Sequence, residues 1–248
     1  LRRWTDMTWK EIEAERGEMI ALIVSGSVEQ HGPHLPTGTD LYIAMGMADR
    51  IASLPGAGDV AGRLVMLPPL FHTYAKESDG WRGTLNFDGN TLTLVVRDII
   101  KGLFRQGIKK VVLLNGHLES QNVESYSFIL EGIELAAEGR DDVRVMSVNW
   151  WDFIGDELIS ELFADRWPGW VAEHAALTET SIMLALYPDL VKADLADAGV
   201  IPKPLPYKIF PQPSGMYAPA EGASAEIGER LVSEVVKGLV PIIRERFN

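Results

Sequence analysis

The sequence contains no cysteine. Disulfides and thiolate ligands are therefore excluded, and any metal must be held by nitrogen and oxygen. Positive charge is scarce: 23 Lys and Arg stand against 35 Asp and Glu, a formal net charge of −12. That balance disfavours a nucleic-acid partner, which normally meets a basic face, and it disfavours docking on anionic membrane. No stretch of about 18 uninterrupted apolar residues offers a membrane span. The opening LRRWTDMTWKEIEAERGE is too charged for the apolar segment of a signal peptide. Internal repeats and low-complexity tracts are missing. A cytoplasmic enzyme acting on a small molecule is the economical reading. The 248 residues fit a single α/β domain over 1–248, since one core can still grow to roughly 250 residues.

What is present alternates between two patterns. Residues 19–27 (MIALIVSGS) form a short, nearly continuous apolar run, which predicts a buried parallel strand. Residues 64–70, 109–117 and 143–151 predict three more strands. Helical spacing of apolar residues predicts helices over 41–54, 90–107, 119–139, 173–188 and 224–247. Asn90 is a candidate cap, Gly107 sits just past a helix end, Pro188 stops a helix, and Pro241 is a candidate kink. Strands alternating with helices predict a three-layer α/β/α sandwich with a mostly parallel central sheet. Residues 199–222 hold six of the 14 prolines and little periodicity. They read as a surface crossing or an arm on a neighbouring subunit.

The chemistry concentrates at two predicted strand ends, where open parallel sheets gather their ligands. The stretch EQHGPHLPTGTD runs from Glu29 to Asp40, and only five histidines exist in the chain. Glu29 and His31 are two apart, so their side chains share one side of an extended backbone. His117 and Glu119 repeat that spacing after the third strand. Asp40 is either a helix N-cap or a carboxylate able to bridge two ions. Five ligands of these types suit a binuclear zinc or manganese site, which would acidify a shared water. His34 is an alternative to His31, or a group supporting it from behind. His72 reads as structural. Glu179 reads as a hydrogen-bond anchor, with a ligand role as its alternative.

Three separated motifs then carry a resemblance. SVEQHGPHLPTGTD, LNGHLE, and the GWVAEH and ETSIMLALYPDLV segments together resemble the creatininase (creatinine amidohydrolase) family from about Thr8 to Pro213. The resemblance implies that Glu29, Asp40 and His117 hold one metal, and that His31, Asp40 and Glu119 hold the other. It implies zinc and manganese, Glu173 and His174 as the pair that contacts substrate and moves protons, and a homohexamer. Trp151 and Trp170 match two tryptophans that enclose a flat substrate ring. Ser78 matches a substrate-contacting serine. Leu118 stands where creatininase proper has a tyrosine, and the loop around 76–83 is shorter and carries Trp81 and Arg82. The implied reaction is hydrolysis of a small cyclic amide, with creatinine the leading substrate. A family deformylase or another small-amide hydrolase is the second reading. A metal-stabilised binding protein without turnover is the third, and the Glu173–His174 pair counts against it.

Overall fold

Five short strands pair in parallel: Arg2–Arg3 (β1), Ile20–Ser25 (β2), Leu64–Met66 (β3), Lys110–Asn115 (β4) and Arg144–Asn149 (β5). In the computed structural model, which describes residues 1–119, 124–196 and 214–248, they form one sheet ordered β1–β3–β2–β4–β5. The helices are Trp9–Glu15 (α1), Thr39–Ile51 (α2), Gly58–Ala61 (α3), Gly89–Arg105 (α4), Glu124–Ala137 (α5), Asp156–Phe163 (α6), Leu177–Leu186 (α7) and Ala225–Phe247 (α8).

All six residues of β2 are buried, because both faces of the sheet are covered. Successive side chains of the strand serve opposite layers. Ile20, Leu22 and Val24 join Ile43 and Met47 of α2, Ile182 of α7 and Leu231 and Val235 of α8. Ala21 and Ile23 join Leu92, Val96 and Ile100 of α4 and Ile129 of α5. The result is the α/β/α sandwich. Each fully buried Leu or Ile side chain contributes roughly 1.5–3 kcal/mol.

Several boundaries differ from the sequence expectation. Asp88, not Asn90, precedes α4, while Gly107 does take the positive φ of a residue past a helix end. α1 and β1 were not anticipated, although Thr8 and Glu11 form a reciprocal capping box that the spacing T-x-x-E encodes. α8 continues through Pro241. Glu119 precedes α5, and residues 120–123 lie outside the described part. Residues 197–213 lie outside the described part, and with them most of the stretch 199–222 read as a surface crossing; at its far end Met216, Tyr217, Ala218 and Ala220 are buried. Apolar side chains in an aperiodic segment carry no signal of which surface they meet.

The strand order creates a switch point. From β2 the chain moves to β3 on one side, whereas from β4 it moves to β5 on the other. The helix after β2 covers one face and the helix after β4 the opposite face. The loops leaving β2 and β4 thus diverge and leave a crevice between neighbouring strand ends. Ser25 and Asn115 lie in register at its floor, with the Ser25 Oγ 3.2 Å from Asn115 Oδ1.

Two glycines let α2 close over that crevice. A Cβ at Gly26 would meet Asp40 Cβ at 2.8 Å, and one at Gly116 would meet the Asp40 carbonyl at 2.5 Å. α7 and α8 approach as closely: a Cβ at Gly228 would lie 1.9 Å from the Ser181 carbonyl oxygen. Gly228→Ala is therefore expected to force the two helices apart and cost about 1–3 kcal/mol. Denaturant unfolding should show a lower midpoint with unchanged slope; an unchanged midpoint would mean that the packing is slack.

Candidate metal centre

Glu29 and His31 lie just beyond β2, His117 just beyond β4, and Asp40 in the first turn of α2. Asp40 is not the N-cap; Gly38 holds that place, without a side-chain bond. The Asp40 carboxylate instead points to the sheet, where its Oδ2 accepts from the Ser27 amide at 3.0 Å. The same Oδ2 lies 3.0 Å from His117 Nδ1, and Oδ1 lies 3.0 Å from His31 Nε2. One carboxylate therefore faces two histidines, one with each oxygen. Glu29 Oε1 approaches His117 Nδ1 at 2.8 Å, and Glu179 Oε1 approaches His31 Nε2 at 3.6 Å.

Three groups result whose ligand atoms all lie within 4.8 Å of one another: Glu29–Asp40–His117, His31–Asp40–Glu179 and Glu29–His31–His174. The first is one of the two trios that the resemblance implied. The second brings Glu179, read from sequence as a hydrogen-bond anchor with a ligand role as its alternative, beside His31 and Asp40. Glu119, which the resemblance implied as a ligand, lies nearby. Its Oε1 accepts from the backbone amides of Lys76 and Glu77, the latter at 3.1 Å. No group formed among the described residues includes it. Burial pushes its carboxyl up to about 7.

The donor set fits divalent cations. Glu29, Asp40 and Glu179 are all buried, and among the described residues no Lys or Arg pairs with them. Buried carboxylates demand compensating charge. Burial lowers the affinity of His31 and His117 for protons, but the facing carboxylates outweigh it. Asp40 and Glu179 raise His31, and Glu29 and Asp40 raise His117, both well above the ordinary histidine value. His31 Nδ1 meets the Glu29 carbonyl at 3.2 Å, which directs Nε2 toward Asp40 and Glu179. That Nε2 makes no aligned hydrogen bond although it lies 3.0 Å from Asp40 Oδ1. A cation among this nitrogen, Asp40 and Glu179, and another among Glu29, Asp40 and His117 Nδ1, would supply the charge that these carboxylates demand.

The remaining sequence candidates divide. Trp151, Trp170, Leu118, Glu173 and His174 line one pocket with Glu29, Asp40, His117 and Glu179, enclosing about 330 Å³ with its open mouth. Trp150, almost fully buried, lines it too, edge-on to Trp151 at 5.6 Å and to Trp170 at 5.7 Å. Ser78 meets the centre itself: its hydroxyl donates to Glu29 Oε2 at 2.6 Å. Ser78 thus orients a carboxylate of the centre. Ser78→Ala is expected to weaken metal retention about 10- to 100-fold while leaving the fold intact, measured by competition with a chelator.

Glu173 and His174 precede α7 and do not lie on its helix, as the sequence spacing had implied. Ala175 takes a positive φ of 55°, which breaks the helix there at a cost of about 1–2 kcal/mol. Hydrogen bonds hold the bend. Glu173 Oε1 accepts from the amides of Thr178 and Glu179 at the start of α7. Glu179 Oε2 accepts from the Ala175 amide at 2.7 Å, leaving Oε1 for His31. Glu173 Oε2 is buried without a partner, and burial with the charge of Glu179 pushes the carboxyl up to about 8. His34 supports from behind: its Nε2 lies 2.8 Å from Thr180 Oγ1. His72 is half-buried against Phe87 and outside the pocket.

Tyr217 was not singled out from sequence. Its amide donates to the His174 carbonyl at 3.2 Å, its ring packs on that imidazole at 4.9 Å, and it lines the Glu77–Glu119 side of the site. The only available signal was an aromatic among small residues in SGMYAPAEG.

A parallel α/β sandwich with a carboxylate–histidine centre at its switch point defines a class, that of metal-dependent α/β hydrolases. Comparison with known proteins makes it specific. The model of the creatininase family, described as creatinine amidohydrolase, matches residues 5–243. The chain is 36% identical to creatinine amidohydrolase of Pseudomonas putida, over 98% of this chain and 96% of that one. A solved manganese form of creatininase superposes with TM-score 0.86 at 34% identity, covering 99% of this chain and 98% of that one. A zinc–zinc form of a creatininase variant gives 0.85 at 34% identity, with the same coverage. The chain belongs to the creatininase family of amidohydrolases. No helix among the described residues is long and apolar enough to cross a membrane.

Proposed function

We propose that this chain opens the ring amide of creatinine with water to give creatine, using two divalent ions, zinc and/or manganese. The observation that carries the reading is the placement of Asp40, one oxygen toward each histidine. Glu29, Asp40 and His117 would hold one ion, and His31, Asp40 and Glu179 the other. Bound there, the ions would polarise the amide carbonyl and make a shared water acidic enough to attack at neutral pH.

The chain's own residues do the rest. Trp151 and Trp170 offer indole faces to a flat, partly cationic ring. Glu173 has one oxygen fixed on the start of α7 and the other unpartnered in the site, suited to accept from the amino side of the ring. Its environment holds it near neutrality until a cationic partner arrives. His174 moves the proton that the leaving nitrogen needs, since imidazole gives and takes protons near working pH. Ser78 fixes Glu29, and Glu119 stands by as a carboxyl clamped on two amides. Leu118 leaves the mouth apolar beside the centre.

The direct assay is creatine formation from creatinine by protein loaded with zinc or manganese. Turnover is expected. Full metal occupancy with no turnover of creatinine, but hydrolysis of formamides or other small amides, would move the assignment to the second reading, which Leu118 favours. The proposal extends to a cytoplasmic homohexamer; light scattering should then give a mass six times that of the chain.

A further inference from the structure

Three neighbouring strands end on a polar residue in one register: Ser25 on β2, Asn115 on β4 and Asn149 on β5. Residues in register on paired strands put their side chains on the same face. Asn115 is fully buried. Its Oδ1 accepts from the His117 N–H at 3.3 Å and from the Ser25 hydroxyl at 3.2 Å. Its Nδ2 donates to the His117 carbonyl at 2.8 Å and to Asn149 Oδ1 at 3.0 Å. A side-chain amide offers two donors and two lone pairs, so all four are used. The two main-chain groups of His117 fix which end of Asn115 is oxygen and which is nitrogen.

That orientation passes outward. Asn115 donates, so the atom of Asn149 that faces it is the oxygen, and the Asn149 nitrogen faces the other way. There it donates to the Asp152 carboxylate, at 3.1 Å to Oδ2 and 3.4 Å to Oδ1. The Asn149 main-chain N–H also donates to Asp152 Oδ2, at 3.0 Å. Residues 149–152 thus close a turn that carries Trp150 and Trp151. A one-way line of donors runs from Ser25 through Asn115 and Asn149 to Asp152. The Asn149–Asp152 bonds are enough to close the turn. The bond from Asn115 adds something else: it ties the turn to the backbone of His117, a member of the Glu29–Asp40–His117 group. His117 and Trp151 line the same pocket.

We propose that Asn115 and Asn149 are positioning residues which, with Asp152, set the gap between His117 and the Trp151 indole. They govern how well a flat ring is held and not how fast it is opened. The inference rests on the reading of Trp151 as a substrate contact. Its structural part, the placement of Trp151, can be measured apart from activity.

The test uses zinc-loaded protein labelled with fluorotryptophan. Seven tryptophans keep the ¹⁹F spectrum tractable, and loss of one signal in Trp151→Phe assigns Trp151. Asn149→Asp still accepts from Asn115, but it sets two carboxylates against each other. It is expected to move the Trp151 signal and to raise KM about 10-fold, the worth of one lost hydrogen bond. Because held ground state and transition state lose alike, kcat and zinc content should stay within about twofold. Adding Asp152→Asn exchanges the two side chains at constant net charge. The donor then sits on residue 152, and every bond of the line can form again. This double variant is expected to restore the signal and bring KM back within about twofold of wild type. A folded double variant no better than Asn149→Asp alone overturns the proposal. Asp152 is exposed, so Asp152→Ala provides a folded variant even where Asn149→Asp does not; a wild-type Trp151 signal in it overturns the proposal equally. If Trp151→Ala leaves KM unchanged, the reading of Trp151 as a substrate contact fails and the effect on KM with it, whereas the ¹⁹F result decides the placement separately.

Discussion

Asp40→Ala is expected to empty both halves of the metal centre at once. Each oxygen of this carboxylate lies 3.0 Å from a different histidine. Deleting it leaves Glu29 with His117 on one side and His31 with Glu179 on the other. Each remnant has two protein ligands, and catalytic zinc sites ordinarily use three. Elemental analysis should therefore fall from about two ions per chain to near none. Activity should fall by more than the roughly 10²- to 10⁴-fold that proton transfer alone supplies, because the ions polarise the carbonyl as well. Asp40→Asn is the necessary companion. It keeps the volume and an oxygen able to accept from the Ser27 amide, so the fold around α2 should survive. A variant that is folded but holds little metal would place the loss on the missing charge. If Asp40→Ala retains two ions per chain, the shared-carboxylate reading is wrong.

His174→Ala should behave in the opposite way, with both ions kept and the chemistry lost. The expected fall in kcat is about 10²- to 10⁴-fold, with KM changed little. Metal content must be measured beside the kinetics, because His174 also forms a possible ligand group with Glu29 and His31. A loss of one ion in this variant would make the imidazole a ligand. Full metal with collapsed turnover supports a proton carrier. Full metal with full turnover would remove the residue from the mechanism.

Much of this architecture can be read from short-range pattern. Continuous apolar runs, 19–24 and 111–114, mark β2 and β4, since a strand buried on both faces has no polar side to show. The spacing i, i+2 in Glu29–Gln30–His31 and the clustering of histidines mark the ends of those strands. Gly26 and Gly116 also stand out as glycines, but not why they are needed. Only the packed structure shows Asp40 pressed against both.

What the sequence alone determined is local: which segments are strands or helices, which groups lie next to each strand end, and that nitrogen and oxygen must hold any metal. Periodicity and side-chain type settle such matters within a few residues. Tertiary structure decided which distant carboxylate comes to stand beside His31 and Asp40. Glu119 lies two residues from His117 but is clamped by the amides of Lys76 and Glu77, while Glu179, 148 positions along from His31, is turned toward it by the Ala175 amide. It likewise drew Ser78 onto Glu29, Gln30 onto His174 and Tyr217 onto the same imidazole. The physical reason is one of range. A side chain's local preference is fixed by its neighbours in the chain, but its partner is fixed by whichever buried donor or acceptor the closing helices bring within about 3 Å.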